Sequence, residues 1–138
     1  MGKFIFTANQ VDDMAFSMDI GGHKIVMDAG PEVGGKDMGV RPKPLLLAGL
    51  IGCTGMDVSS ILKKMKVEYD SLDISVSADS TEDHPKVYEN IHLVFHFKGE
   101  NLPLDKLQRA AELSQEKYCG VSAMLKKATV VTYEVIVN

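Results

Sequence analysis

The sequence predicts an α+β fold, in which runs of strands and runs of helices follow one another instead of alternating. Three observations point to it: period-two segments before residue 28 and again between residues 72 and 97, one long run apolar on nearly every face after Pro44, and two helical segments followed by a last strand. A chain of 138 residues, 45% hydrophobic and 25% charged, supplies one real core. It is too short for two domains of ordinary size, so residues 1–138 are expected to form a single domain.

Taken in order, Lys3–Ala8 and Ala15–Ile20 read as strands, with Asp12 and Asp13 in the turn between them. Gly21-Gly22 then leads into His23–Asp28, and two glycines between alternating runs signal a hairpin. Residues 29–42 read as a mobile-looking loop and a candidate for function, because Gly30, Pro31, Gly34, Gly35, Gly39 and Pro42 break every regular pattern. From Pro44 to about Met65 a helix of about 33 Å is expected at 1.5 Å per residue. Leu45, Leu46, Leu47, Ala48, Leu50 and Ile51 leave it no polar face at first, which places it inside a core or a subunit interface. Gly52 and Gly55 cost about 1 kcal/mol each in helix propensity, so another backbone is expected to come close there. Lys63, Lys64 and Lys66 suit the negative pole at its end.

Leu72–Ala78 and Ile91–Phe97 alternate as paired, half-buried strands around a turn at Asp83-His84-Pro85. Pro103–Lys117 reads as an amphipathic helix with Leu104, Leu107, Ala110, Ala111 and Leu113 as its apolar stripe. Cys119–Ala128 reads as a shorter helix, and Val130–Val137 as the closing strand. The core is aliphatic and adaptable, with eight Met and no Trp.

A net charge of −4 and a pI near 5.5, with no basic patch, argue against a nucleic-acid partner, and none is expected. The N-terminus reaches Asp12 and Asp13 before any run fit for a signal peptide, and no 18 apolar residues stand uninterrupted. No membrane partner is therefore expected, and a cytoplasmic location is. In that reducing compartment Cys53 and Cys119 are thiols at rest, and a bond between them is transient and catalytic.

Cys53 lies within the long helix, with Asp57 one turn along the same face, and apolar surroundings and a carboxylate both disfavour its thiolate. Cys119 opens a helix whose unpaired N–H groups favour a thiolate, with Lys117 close by. Local physics alone therefore makes Cys119 the more acidic thiol. The two form no CxxC or zinc pattern. Free cysteines commonly pack as small hydrophobes, and the residues alone leave that reading open.

The segment Arg41-Pro42-Lys43-Pro44-Leu45-Leu46-Leu47-Ala48-Gly49-Leu50-Ile51-Gly52-Cys53-Thr54, continued through Met56–Met65, resembles the start of the central helix in the OsmC/Ohr family of osmotically induced and organic hydroperoxide resistance proteins. Glu116–Leu125 resembles that family's Lys-Tyr-Cys-Pro-Val-Ser motif, with Gly120 where Pro is usual. The resemblance implies an OsmC-like fold: a long buried central helix, antiparallel strands and an intertwined homodimer. It further implies reduction of small apolar organic hydroperoxides, Cys53 attacking the peroxide and Cys119 resolving the sulfenic acid as a disulfide. No bound cofactor is implied, only an external dithiol reductant, lipoylated or thioredoxin-like.

The chain departs from the pattern where the family's peroxidases carry a Glu, here Pro44, and an Arg in the early strands; its two arginines are Arg41 and Arg109. Arg41 becomes the candidate substrate-binding cation, swinging from its loop toward a thiolate. A second reading, a non-peroxidatic relative that binds an apolar small molecule or senses redox state, rests on the missing Glu.

His92 and His96 share a strand face but stand about 13 Å apart at 3.3 Å per residue, too far to share a metal. Gly34-Gly35-Lys36-Asp37 lacks a complete phosphate-loop pattern, and no Gly-x-Ser-x-Gly is present. No metal site is expected.

Overall fold

The computed structural model describes residues 2–138. It separates into two compact units, one ending at Leu46 and the other spanning Leu47–Asn138.

The first unit is a three-stranded antiparallel sheet of β1 (Ala8–Asp12), β2 (Ala15–Ile20) and β3 (His23–Met27). The Gly21-Gly22 hairpin is present, both glycines having positive φ, and Asp13 turns the chain between β1 and β2. The first strand, however, begins at Ala8, where it was expected to end. Ala8 pairs with Met18, and β2 stops two residues later at Ile20, so a strand from Lys3 would run beyond its partner. Without that partner a ladder cannot satisfy the backbone. Phe4 and Ile5 accordingly stand 83% and 75% exposed.

The glycine-rich loop is tied down rather than loose. Asp28, buried, accepts the backbone N–H of Ala29 at 2.7 Å and those of Lys36 and Met38 at 3.1 Å each. These bonds, that from Met38 foremost, hold the Asp28 carboxyl below the usual carboxylate range. Met27 bridges to Val40 and closes the loop. Gly35 and Gly39 are required by contact, because a Cβ there would lie 1.9 Å from the Ala29 carbonyl oxygen and 2.0 Å from that of Val26.

In the second unit β4 (Ser71–Ser80) and β5 (Tyr88–Lys98) pair antiparallel, and β6 (Val131–Val137) joins the other side of β5. That last pair is parallel, an exception to the antiparallel strands expected. The helical segment between β5 and β6 supplies the crossover that a parallel neighbour needs. Ile91, Leu93, Phe95 and Phe97 alternate onto the inner face of the sheet and are fully buried. They form the core with Leu50, Val58 and Leu62 of α1 (Pro44–Lys64) and with Leu107, Ala110 and Ala111 of α2 (Leu104–Leu113).

The helix expected over Pro103–Lys117 is not continuous. After Leu113 it widens into a π turn, Ser114–Tyr118, which Cys119 N–H closes on the Ser114 carbonyl five residues back at 2.8 Å; α3 (Gly120–Lys126) follows. Ser114 and Gln115, both buried, find partners on α1.

Burial of α1 is narrower than its composition suggests. Leu50, Thr54, Val58 and Leu62, one stripe at four-residue spacing, are its buried residues. Met56 is 76% exposed, and a Cβ built on Gly49 or Gly52 would meet nothing within 4 Å. By length and composition α1 is apolar enough to cross a membrane. Its buried stripe packs on the sheet of the second unit, and its other side is apolar and uncovered.

Candidate active site

Cys53 and Asp57 sit four residues apart on α1 and therefore share a face. Across from them Cys119 is the N-cap of α3, its φ of −75° and ψ of 104° being extended, and its sulfur accepts the Ser122 N–H at 3.3 Å. The two sulfurs and a carboxylate oxygen of Asp57 all lie within 4.8 Å of one another. Chain segments 66 residues apart are thus brought into one cluster. Cys119 is 3% exposed and Cys53 is half-buried.

A buried polar network holds this cluster. Gln115 Nε2 donates to Thr54 Oγ1 at 3.1 Å, and Gln115 Oε1 accepts from Ser122 Oγ at 2.8 Å. Thr54 Oγ1 stands 3.5 Å from the Cys119 sulfur. With one Thr54 lone pair taken by Gln115, the hydroxyl proton is available to that sulfur. Ser114 Oγ donates to Asp57 Oδ2 at 3.0 Å, and Lys126 Nζ donates to the Gln115 carbonyl at 2.8 Å. Ser114, at the end of α2, and Gln115, in the widened turn, both face α1.

Burial pushes the Cys53 thiol above its ordinary range, and the hydrogen bond with Cys119 adds to the rise. A bond from the Val121 backbone opposes it, while the Asp57 charge contributes last in the same upward direction. This is the direction expected from the apolar helix and Asp57. Lys117 lies over the ring of Tyr118, the residue before Cys119, 5.3 Å from its centroid.

An open hollow of about 390 Å³ adjoins the cluster at Asp57. Ile61, Met65, Leu113 and Tyr118 give it apolar walls, and Ser60 and Lys64 complete the lining. Arg41 is engaged within its own loop, donating to Asp37 Oδ1 at 2.8 Å and to the Gly39 carbonyl at 3.3 Å. His92 bonds Thr132 and Glu134, each at 2.7 Å, whereas His96 Nε2 is buried with no hydrogen-bond partner among the described residues. Lys36 pairs with Asp12 at 2.9 Å.

Thr54, Ser114, Gln115 and Ser122 are site residues that the sequence reading did not single out. A signal existed for two of them: Thr54 interrupts the stripe Leu50, Val58, Leu62, and Ser114 continues that of Leu107, Ala110 and Ala111. A polar residue on a buried stripe needs a partner.

Comparison with known proteins bears on the whole arrangement. A family model described as OsmC-like protein matches residues 34–134. Protein YhfA of Escherichia coli K12 is 34% identical over 117 residues, which are 83% of this chain and 84% of YhfA. The structure of a hypothetical protein from Aquifex aeolicus VF5 superposes with a TM-score of 0.83 at 29% identity, covering 100% of this chain and 99% of that one. The organic hydroperoxide resistance protein OhrB of Bacillus subtilis superposes with a TM-score of 0.66 at 20% identity, covering 95% and 96%, a likeness of fold.

Proposed function

The chain belongs to the OsmC-like family, and from that premise we propose that it reduces organic hydroperoxides through Cys53 and Cys119. One observation carries the reading: two free thiols from distant segments lie within 4.8 Å of each other and of Asp57. Cys53, the more accessible sulfur, attacks the terminal peroxide oxygen. The S–O bond forms as the O–O bond breaks, and the leaving alkoxide takes a proton to become the alcohol. Asp57 is the carboxylate placed to accept the Cys53 proton and pass it on. Cys119 then attacks the sulfenic sulfur, so that the S–S bond forms and the S–O bond breaks with loss of water. An external dithiol, lipoylated or thioredoxin-like, reduces the disulfide and is itself oxidised. The apolar walls of the hollow suit an apolar hydroperoxide.

The working unit in this reading is a homodimer. A helix this apolar, buried along one stripe and open at Gly49, Gly52 and Met56, has the surface of a subunit interface.

The test is consumption of an organic hydroperoxide by the reduced protein with a dithiol donor. Turnover is expected, with Cys53→Ser abolishing it and Cys119→Ser stopping after one equivalent, trapped as sulfenic acid. No consumption with either donor class would sink the proposal.

The hollow supports a second reading, in which it retains an apolar small molecule and the cysteines only sense oxidation. An unchanged intact mass after one equivalent of hydroperoxide, together with apolar ligand carried through purification, favours it over the enzyme.

A further inference from the structure

We propose that the reduced protein binds one thiophilic divalent cation, zinc or cadmium, between Cys53, Cys119 and Asp57. Two sulfurs and one carboxylate oxygen lie within 4.8 Å of one another, on two elements the core holds together. A tetrahedral zinc with Zn–S bonds of about 2.3 Å and a Zn–O bond of about 2.0 Å sets its sulfurs about 3.8 Å apart and sulfur and oxygen about 3.5 Å apart, so closure requires movement of at most about 1.3 Å. Three protein ligands with one position left for water is the open kind of zinc centre, not the closed structural kind.

Groups outside the triad already orient it. Ser114 Oγ holds Asp57 Oδ2 at 3.0 Å, and the Ser122 N–H and Thr54 hydroxyl face the Cys119 sulfur at 3.3 and 3.5 Å. Such partners fix the direction of metal ligands and stabilise their charge. Cys53 and Asp57 are half-buried, and the hollow at Asp57 is open to solvent, so a cation can reach the triad. The sequence hides this site because its ligands are four and 66 positions apart, a spacing that matches no zinc signature.

The exchange balances as one dication plus two thiols and one carboxylate giving a complex of charge −1 and two released protons. Both sulfurs are then occupied, so the cation is a reversible inhibitor of any thiol chemistry at the site. Binding is measured without peroxide, so it stands or fails separately from hydroperoxide reduction.

The experiment titrates the reduced full chain with cadmium chloride and follows thiolate-to-metal charge-transfer absorption, then repeats with zinc against a chromophoric chelator. One equivalent per chain is expected, lost in Cys53→Ser and weakened about tenfold or more in Asp57→Asn. Because Cys119 is buried and its substitution could unfold the chain, the wild-type protein supplies a second readout: one equivalent of cadmium should slow alkylation of both cysteines together. No saturable absorption, unprotected thiols, or an Asp57→Asn variant that binds as the wild type does would each overturn the site.

Discussion

At the residue scale the site depends on two side chains of opposite character, Cys53 and Gln115. The folded state raises the Cys53 pKa, chiefly by burial, and so favours its neutral thiol. That preference contributes stability in full below the ordinary thiol value of 9.0, and the contribution is lost as pH rises through the elevated folded value. Alkylation of Cys53 should therefore accelerate only above the ordinary thiol range. Asp57→Asn should lower the inflection slightly, since burial remains, and peptide mapping across a pH series reads both outcomes. Gln115 is the hub of the buried network, using its amide nitrogen for Thr54 and its oxygen for Ser122. Gln115→Leu strands the Ser122 hydroxyl and removes one donor from Thr54, which keeps the Cys119 sulfur as partner, so the loss in urea unfolding should be about 1–3 kcal/mol, the cost of one buried group left unsatisfied. It should also slow disulfide formation between the cysteines, because Thr54 and Ser122 face Cys119.

At the scale of elements, the glycines divide into those the fold requires and those it tolerates. Gly35 meets a backbone carbonyl that cannot move without undoing the loop around Asp28. Gly35→Ala should therefore destabilise the first unit by about 3 kcal/mol or more, with faster amide exchange at Lys36 and Met38. Gly55 meets only the end of a flexible side chain, Ile74 Cδ1, at 3.0 Å. Gly55→Ala gains about 1 kcal/mol of helix propensity against a small repacking cost, and should leave stability within about 1 kcal/mol of the wild type. The π turn belongs to the same scale. Ser114 still follows the buried stripe of α2, and the one wider turn after it delivers Cys119 to the start of α3 in an extended conformation.

At the scale of the whole molecule the question is what covers α1. Its open side includes Met56, 76% exposed, and the proposed homodimer covers it. Sedimentation should find a dimer, and Met56→Lys should shift the equilibrium toward monomer by about tenfold or more while leaving the folded monomer intact, because burying an unpaired ammonium at an interface is costly whereas exposing it is not. An unchanged sedimentation profile would place the interface elsewhere.

The α+β class, the Gly21-Gly22 hairpin, the extent of α1, the alternation of β4 and β5, and the two segments that carry the cysteines are all legible in the sequence. Each depends on a local signal: a period of two or nearly four, a turn residue, a helix start. Asp57 was visible for the same reason, one turn from Cys53. Packing sets β6 parallel to β5, joins Thr54 to Ser122 through Gln115 and buries α1 along one stripe, and it brings together the Cys53 and Cys119 that the family resemblance had paired. It also decided where β1 begins, since a strand ends where its partner ends. These are contacts between residues far apart in the chain. Their geometry comes from how elements pack, and no short-range pattern encodes it.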